Sequence, residues 1–244
     1  MVNFVILLLM HFVGDFYLQT TRIARCKNAQ VSSKCGNCIG CKSGSRFNMR
    51  YVMVHALLYV APFLVMFLIT DYISALISLA VILISHVIVD VISCCFNKNK
   101  KQTIVFIVDQ SVHIGILFLI YKVCIFNSFF VEYSFVLKVL LAVLIVVAPC
   151  SIFINKLFKD VFPDTEDKGI FDVGSIIGIL ERMLVLIFAY FESFATIAII
   201  ITVKTWARNI DLQEKDFRNK YLLGTLASLV LALIIYVMFK LMKG

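Results

Sequence analysis

The chain has 244 residues and a net charge of +8, with 61% hydrophobic residues, only 16% charged residues and three prolines, and its mean hydropathy is +0.97. That profile excludes a soluble globular domain and predicts an integral membrane protein, since a hydrocarbon core ~30 Å thick takes about 20 apolar residues per helix. With no alternating strand pattern, the expected fold is an all-α polytopic helical bundle of about eight transmembrane helices (seven at the least), one membrane domain over residues 1–244.

The first predicted helix covers residues 2–20. Its sequence "MVNFVILLLMHFVGDFYLQ" has no basic start and no small-residue cleavage site, and it carries His11 and Asp15, so it reads as a helix and not as a signal peptide. Residues 21–50 follow as a basic loop holding Arg22, Arg25, Lys27, Lys34, Lys42, Arg46 and Arg50 and no acidic residue. The same loop carries Cys26, Cys35, Cys38 and Cys41. Cysteines in a cytoplasmic loop are normally reduced, so C-x2-C-x2-C with a fourth cysteine upstream points to a small thiolate site for Zn or Fe-S, with inert or redox-labile thiols as the alternative.

Further helices are predicted at 51–70, 72–95, 103–125 and 134–156. Residues 172–205 form one long apolar stretch with a natural break at "YFESF", 190–194, and a last helix runs over 221–242. The segment "NKNKK" at 97–101 is purely basic, whereas the loops near Asp71 and Glu132 hold no Lys or Arg outside the helices. Basic short loops stay in the cytoplasm, which places loops 21–50 and 96–102 on that side. Lys204, Arg208, Lys215, Arg218 and Lys220 join them if 172–205 crosses twice, and the loops then account for the excess positive charge, so no nucleic-acid partner is expected.

Polar residues interrupt the apolar helices at one depth. His11 and Asp15 lie in "HFVGDFYLQ", His55 one turn into the second helix, His86 and Asp90 in "SHVIVD", and Asp109 and His113 in "DQSVH". At 1.5 Å per residue all seven fall roughly 7–17 Å below the cytoplasmic boundary. Spacing of four puts both members of a pair on one helix face. Imidazole and carboxylate suit Zn, Mn or Fe, and a bound cation would offset carboxylates that are costly at membrane depth. The competing explanation is that the pairs are interhelical hydrogen bonds that hold the bundle together. Glu181, beside Arg182 in "IIGILER", lies at a similar depth; with Asp109 it is a candidate general acid or base, or else half of a self-satisfying ion pair.

The motifs H-x3-D-x3-Q, H-x3-D and D-Q-x2-H, with the later "IIGILER" and "LLGTLAS", resemble an uncharacterised family of small bacterial and phage membrane proteins, a domain of unknown function. The resemblance covers nearly the whole chain and implies a multi-pass protein of the bacterial inner membrane. Against that pattern the cysteine loop looks like an insertion. More distantly, the H-x3-D elements are similar to those of proposed metal-dependent inner-membrane hydrolases, themselves likened to zinc-dependent phospholipase C. The expected function is therefore a metal-dependent hydrolase acting near the cytoplasmic leaflet on a lipid or small phosphoester. The alternatives are a divalent-ion or proton-coupled transporter, or a non-catalytic accessory or phage-defence protein with a structural metal site.

Overall fold

A computed structural model describes residues 2–27, 47–96, 101–127, 130–163 and 172–241. Among them the chain is mostly helical and has no strand, only one isolated antiparallel bridge between Thr70 and Phe126. Among the described residues six helices are long and apolar enough to cross a membrane, or seven if the bent first segment is counted as one span. The chain is a multi-pass membrane protein. The difference from eight has two local causes. The first segment is broken by an 82° bend, and Phe194–Ala207 is an apolar helix of only 14 residues, about 21 Å of rise, which falls short of the hydrocarbon thickness.

The chain packs as two compact units, Met1–Leu141 and Ala142–Gly244. The first begins with α1 (Val2–Phe12), which continues as a π-helical turn over Val13–Tyr17 and then bends into α2 (Thr21–Lys27). Thr20 caps α2, its hydroxyl accepting from the Ile23 amide. The helix predicted to reach residue 20 thus stops at Tyr17, and Gln19, the last residue of H-x3-D-x3-Q, lies in the bend. α3 (Met49–Val60), capped by the Asn48 side chain, runs through a 3-10 turn into the short α4 (Met66–Ile69). The Asn48 amide donates to the Lys27 carbonyl, so the chain on either side of the cysteine loop is tied together.

α5 (Tyr72–Phe96) and α6 (Gln102–Val123) complete the frame of this unit. On α5 the buried residues are Ala75, Ser78, Ile82, His86, Asp90 and Cys94, a stripe repeating every three or four residues, while Ile73, Ile77, Ile84, Ile88 and Ile92 face outward. One helical face therefore carries both the apolar core and the polar pair, and the opposite face is left apolar for lipid. The core gathers Leu7, Met10, Phe63, Met66, Ile82 and Leu117. One end is clamped by polar contacts: the Asn127 amide donates to the Ile69 carbonyl, and the Thr70 hydroxyl to the Ile125 carbonyl.

α7 (Ser134–Val147) runs from the first unit into the second and is followed, after a break at Ala148, by α8 (Pro149–Val161). α9 (Val173–Tyr190) and α10 (Phe194–Ala207) are joined by a tight turn in which Glu192 takes a positive φ of 56°, a left-handed cap like those that end many helices. The break falls where "YFESF" predicts it. α11 (Lys215–Leu241) closes the unit, and Ala189 and Ala232 are small enough to let helix backbones approach closely.

Candidate functional site

In the first unit the α1 end, α3, α5 and α6 bring every histidine of the chain into contact range of another. The His86 and His113 ring centres are 4.6 Å apart, and those of His55 and His86 are 4.9 Å apart. Asp15, Asp90 and Asp109 interleave with them. Donor atoms fall into two sets, each within a 4.8 Å span: Asp15 with His55 and His86, and Asp90 with Asp109 and His113. Asp90 also links the sets, its Oδ2 lying 3.7 Å from His55 Nε2 and 3.6 Å from His86 Nε2.

Local backbone geometry aims these groups. Asp15 sits in the π-helical turn, which adds a residue to the winding and turns its carboxylate toward His55 Nε2, 3.1 Å away. Gly14 makes that approach feasible: a Cβ there would stand 2.6 Å from the Tyr59 carbonyl oxygen and 3.0 Å from its Cα. The Tyr59 ring stacks on His86 at 3.7 Å and 7°, fixing the imidazole plane.

Gln110 is the hub of the supporting contacts. Its Nε2 donates to Asp15 Oδ2 at 2.8 Å and to Asp109 Oδ2 at 3.1 Å. Carboxylates only accept, so the amide orientation follows, and Oε1 must accept from His11 Nε2 at 3.0 Å. His11 Nδ1 is then the acceptor for the Tyr59 hydroxyl, also at 3.0 Å. Both nitrogens of His11 are thereby taken, which makes it a support for the site, whereas the sequence groups it with the ligands. Ser93 donates to Asp109, and Lys27 reaches both oxygens of Asp90 at 3.0 Å.

The other three histidines are not satisfied. His55 Nδ1, both nitrogens of His86, and His113 Nε2 are buried without a hydrogen-bond partner. An orphaned buried polar atom costs about 1–3 kcal/mol, so four of them in one cluster is a sizeable penalty. Of the three carboxylates, Asp90 pairs with the Lys27 ammonium, while Asp15 and Asp109 accept from the neutral Gln110 amide. Unused imidazole lone pairs beside excess carboxylate are the donor set that a borderline divalent ion takes, so the residues fit a metal.

Several supporting residues escape a reading by spacing alone. Tyr59 lies four residues after His55, a signal of the same kind as the His/Asp pairs, and Gln110 stands inside "DQSVH". Lys27 carries no such mark, because only the bend after Tyr17 returns it to Asp90. Cys26 is buried and disulfide-bonded. A disulfide sulfur is not a thiolate, so Cys26 is not a ligand in this form; Cys35, Cys38 and Cys41 lie outside the described residues, and a site built on them stays an expectation. Glu181 belongs to the second unit, where it pairs with Lys204 at 2.7 Å. Arg182, expected as its partner, turns elsewhere: it donates to Val146 O, Ser228 Oγ and Ser151 Oγ.

No curated protein and no solved structure matches the chain. A family profile matches over residues 3–37 and 34–142, in two parts that meet inside the cysteine loop and together take in every residue of the His/Asp cluster. The chain belongs to that family, described as a protein family of unknown function (DUF3307).

Proposed function

We propose that the chain is a membrane-embedded, metal-dependent hydrolase whose His/Asp cluster binds Zn, or Mn or Fe, and acts near the cytoplasmic leaflet on a phosphoester, either a lipid headgroup or a small soluble ester. One observation carries this: two adjacent sets of three His/Asp donors, all buried but the half-buried Asp109, with unpartnered imidazole nitrogens. Divalent ions in such a site would polarise a phosphoryl oxygen and lower the pKa of a water. The chain's own residues divide the remaining work. Gln110 and Tyr59 hold His11 and the carboxylates in place, and the stacked Tyr59 ring orients His86. Lys27 offsets the charge of Asp90 and competes with a cation for it. The family match supports membership and brings no activity with it.

A second reading, ion or proton translocation, is favoured by one feature. The first apolar segment is broken, by 82°, directly after the turn that holds Asp15, and discontinuous helices next to intramembrane ligands are a transporter device. Bound metal and phosphodiesterase activity on phospholipids and nucleotide esters, measured in the parent, Asp15→Asn and His86→Ala, separate the two. Each substitution should lower metal affinity or activity about 10- to 100-fold. Metal-replete variants would end the metal-site proposal, and metal loss without hydrolysis in the parent would favour translocation.

Orientation belongs to the same proposal. With the basic loops facing the cytoplasm of a bacterial inner membrane, an impermeant thiol reagent should reach Cys35, Cys38 and Cys41 only after permeabilisation and reduction. Labelling of reduced, intact cells would reverse the topology.

A further inference from the structure

The second unit contains a cavity of about 670 Å³, within the range of small-molecule sites. It lies among α8, α9, α10 and α11, and its described lining carries five cationic side chains, Lys159, Arg182, Lys204, Arg208 and Lys220, against one carboxylate, Glu181, with Arg208 also paired to the exposed Asp211 at 3.4 Å. Ile154, Phe158 and Ile177 add an apolar wall.

Arg182 is the deepest of the cations along its helix. It is 2% exposed and sits nine residues after Val173, about 14 Å into α9. Its donors meet a backbone carbonyl and two serine hydroxyls, all neutral, at 3.3, 3.0 and 2.8 Å. Glu181 is committed to Lys204. The guanidinium is therefore hydrogen-bonded but, among the described residues, has no carboxylate paired with it, an arrangement expensive inside an apolar bundle unless an anion joins it. Gly178 leaves the space: a Cβ there would lie 3.3 Å from Arg182 Nη1. Nearer the helix ends, Lys204, Arg208 and Lys220 lie over the rings of Tyr221, Phe217 and Phe162. These cations are steered by aromatic faces and so lose less freedom when an anion arrives.

We propose that this cavity is a binding site for a phosphoryl group, with the apolar wall accepting the attached carbon chain of an anionic lipid. The Arg182 fork and the surrounding ammonium groups match phosphate oxygens. A column of cations running from the helix ends to a buried arginine would draw an anionic headgroup inward. The site is independent of the His/Asp cluster in residues and in sign of charge.

Retention measured by native mass spectrometry on the full chain in detergent tests this, with dioctanoyl phosphatidic acid, dioctanoylglycerol, dioctanoyl phosphatidylcholine and inorganic phosphate as probes. Phosphatidic acid should be retained about tenfold better than dioctanoylglycerol or phosphatidylcholine, and Lys220→Glu and Arg208→Glu, both near helix ends where the fold tolerates change, should lower that about tenfold. Arg182→Lys, which keeps the charge and loses the fork, should weaken it as well. If inorganic phosphate displaces phosphatidic acid fully, the phosphoryl site stands and its ligand is a free phosphate; if it displaces little, the lipid is the source. Equal retention of phosphatidic acid and dioctanoylglycerol, or parental binding in both Glu variants, would overturn the proposal.

Discussion

The two units bury charge of opposite sign, and they settle it differently. In the first, three carboxylates gather with Lys27 on Asp90, and imidazole nitrogens stand without hydrogen-bond partners among the described residues. In the second, a buried arginine has its donors met by neutral oxygens and retains its charge. An apolar helical bundle tolerates either only if something offsets the cost, so each cluster marks a place for an ion of the other sign. The contrast also separates architecture from chemistry. Arg182 ties α7, α8 and α11 to α9 and contributes to the fold, whereas His86 and His113 have unused nitrogens that add nothing to the apo fold.

The largest expected effect follows from that contrast. Arg182→Ala removes three hydrogen bonds and leaves a space between four helices, so it should lower stability by about 2–4 kcal/mol with or without added metal. Asp15→Asn should do the reverse: it removes a buried negative charge at little change in size, so the metal-free protein should melt no lower than the parent, and only the stabilisation gained on adding metal should vanish. Melting temperatures of both variants, taken with a chelator and with Zn or Mn, test the pair. A large fall for Asp15→Asn in chelator would mean that the first cluster is structural glue like the second.

Gly14→Ala comes next and addresses how the first site is built. A Cβ at Gly14 would collide with the Tyr59 backbone, so α3 must move away from the π-helical turn at about 1–3 kcal/mol. The same displacement pulls Asp15 from His55 and Tyr59 from His86, and metal affinity should fall along with stability. Lost stability with unchanged metal binding would show that the turn does not position the carboxylate.

These residues also mark what sequence spacing can and cannot show. The pairs His86–Asp90 and Asp109–His113 were legible because a helix of period 3.6 puts i and i+4 on one face, and the structure keeps both pairs on unbroken α-helices. The same rule works less well for His11–Asp15, since the π-helical winding departs from that period between them and sends His11 to Gln110 and Asp15 to His55. Lys27 and the Arg182 contacts join residues 63 and up to 46 positions apart, and no local pattern encodes those. The helix count meets the structure at its lower figure of seven, because apolar length alone does not reveal an 82° bend or a turn that leaves only 14 residues in α10.

The smallest expected effect comes from an acid outside the spans, which calibrates the buried ones. Asp71 is exposed and precedes α5, where its side chain accepts from the Ser74 amide at 2.8 Å and its carbonyl from the Ala75 amide at 2.9 Å. This is an N-cap, and the negative charge also complements the helix dipole. Hydrogen bonds from the Ser74 backbone and hydroxyl hold the Asp71 carboxyl below its ordinary value of 3.8. A depressed carboxylate pKa stabilises the fold above the unfolded value and loses that contribution as pH falls through the folded one. Asp71→Ala should therefore melt about 1–3 °C lower at neutral pH, and the gap to the parent should hold down to about pH 5 and close below about pH 4. A gap that is the same at pH 7 and pH 3 would assign the effect to the loss of an uncharged contact. Because water already surrounds Asp71, adding metal should leave the gap unchanged, and a metal-dependent gap would mean that α5 carries strain from the His86 site to its far end.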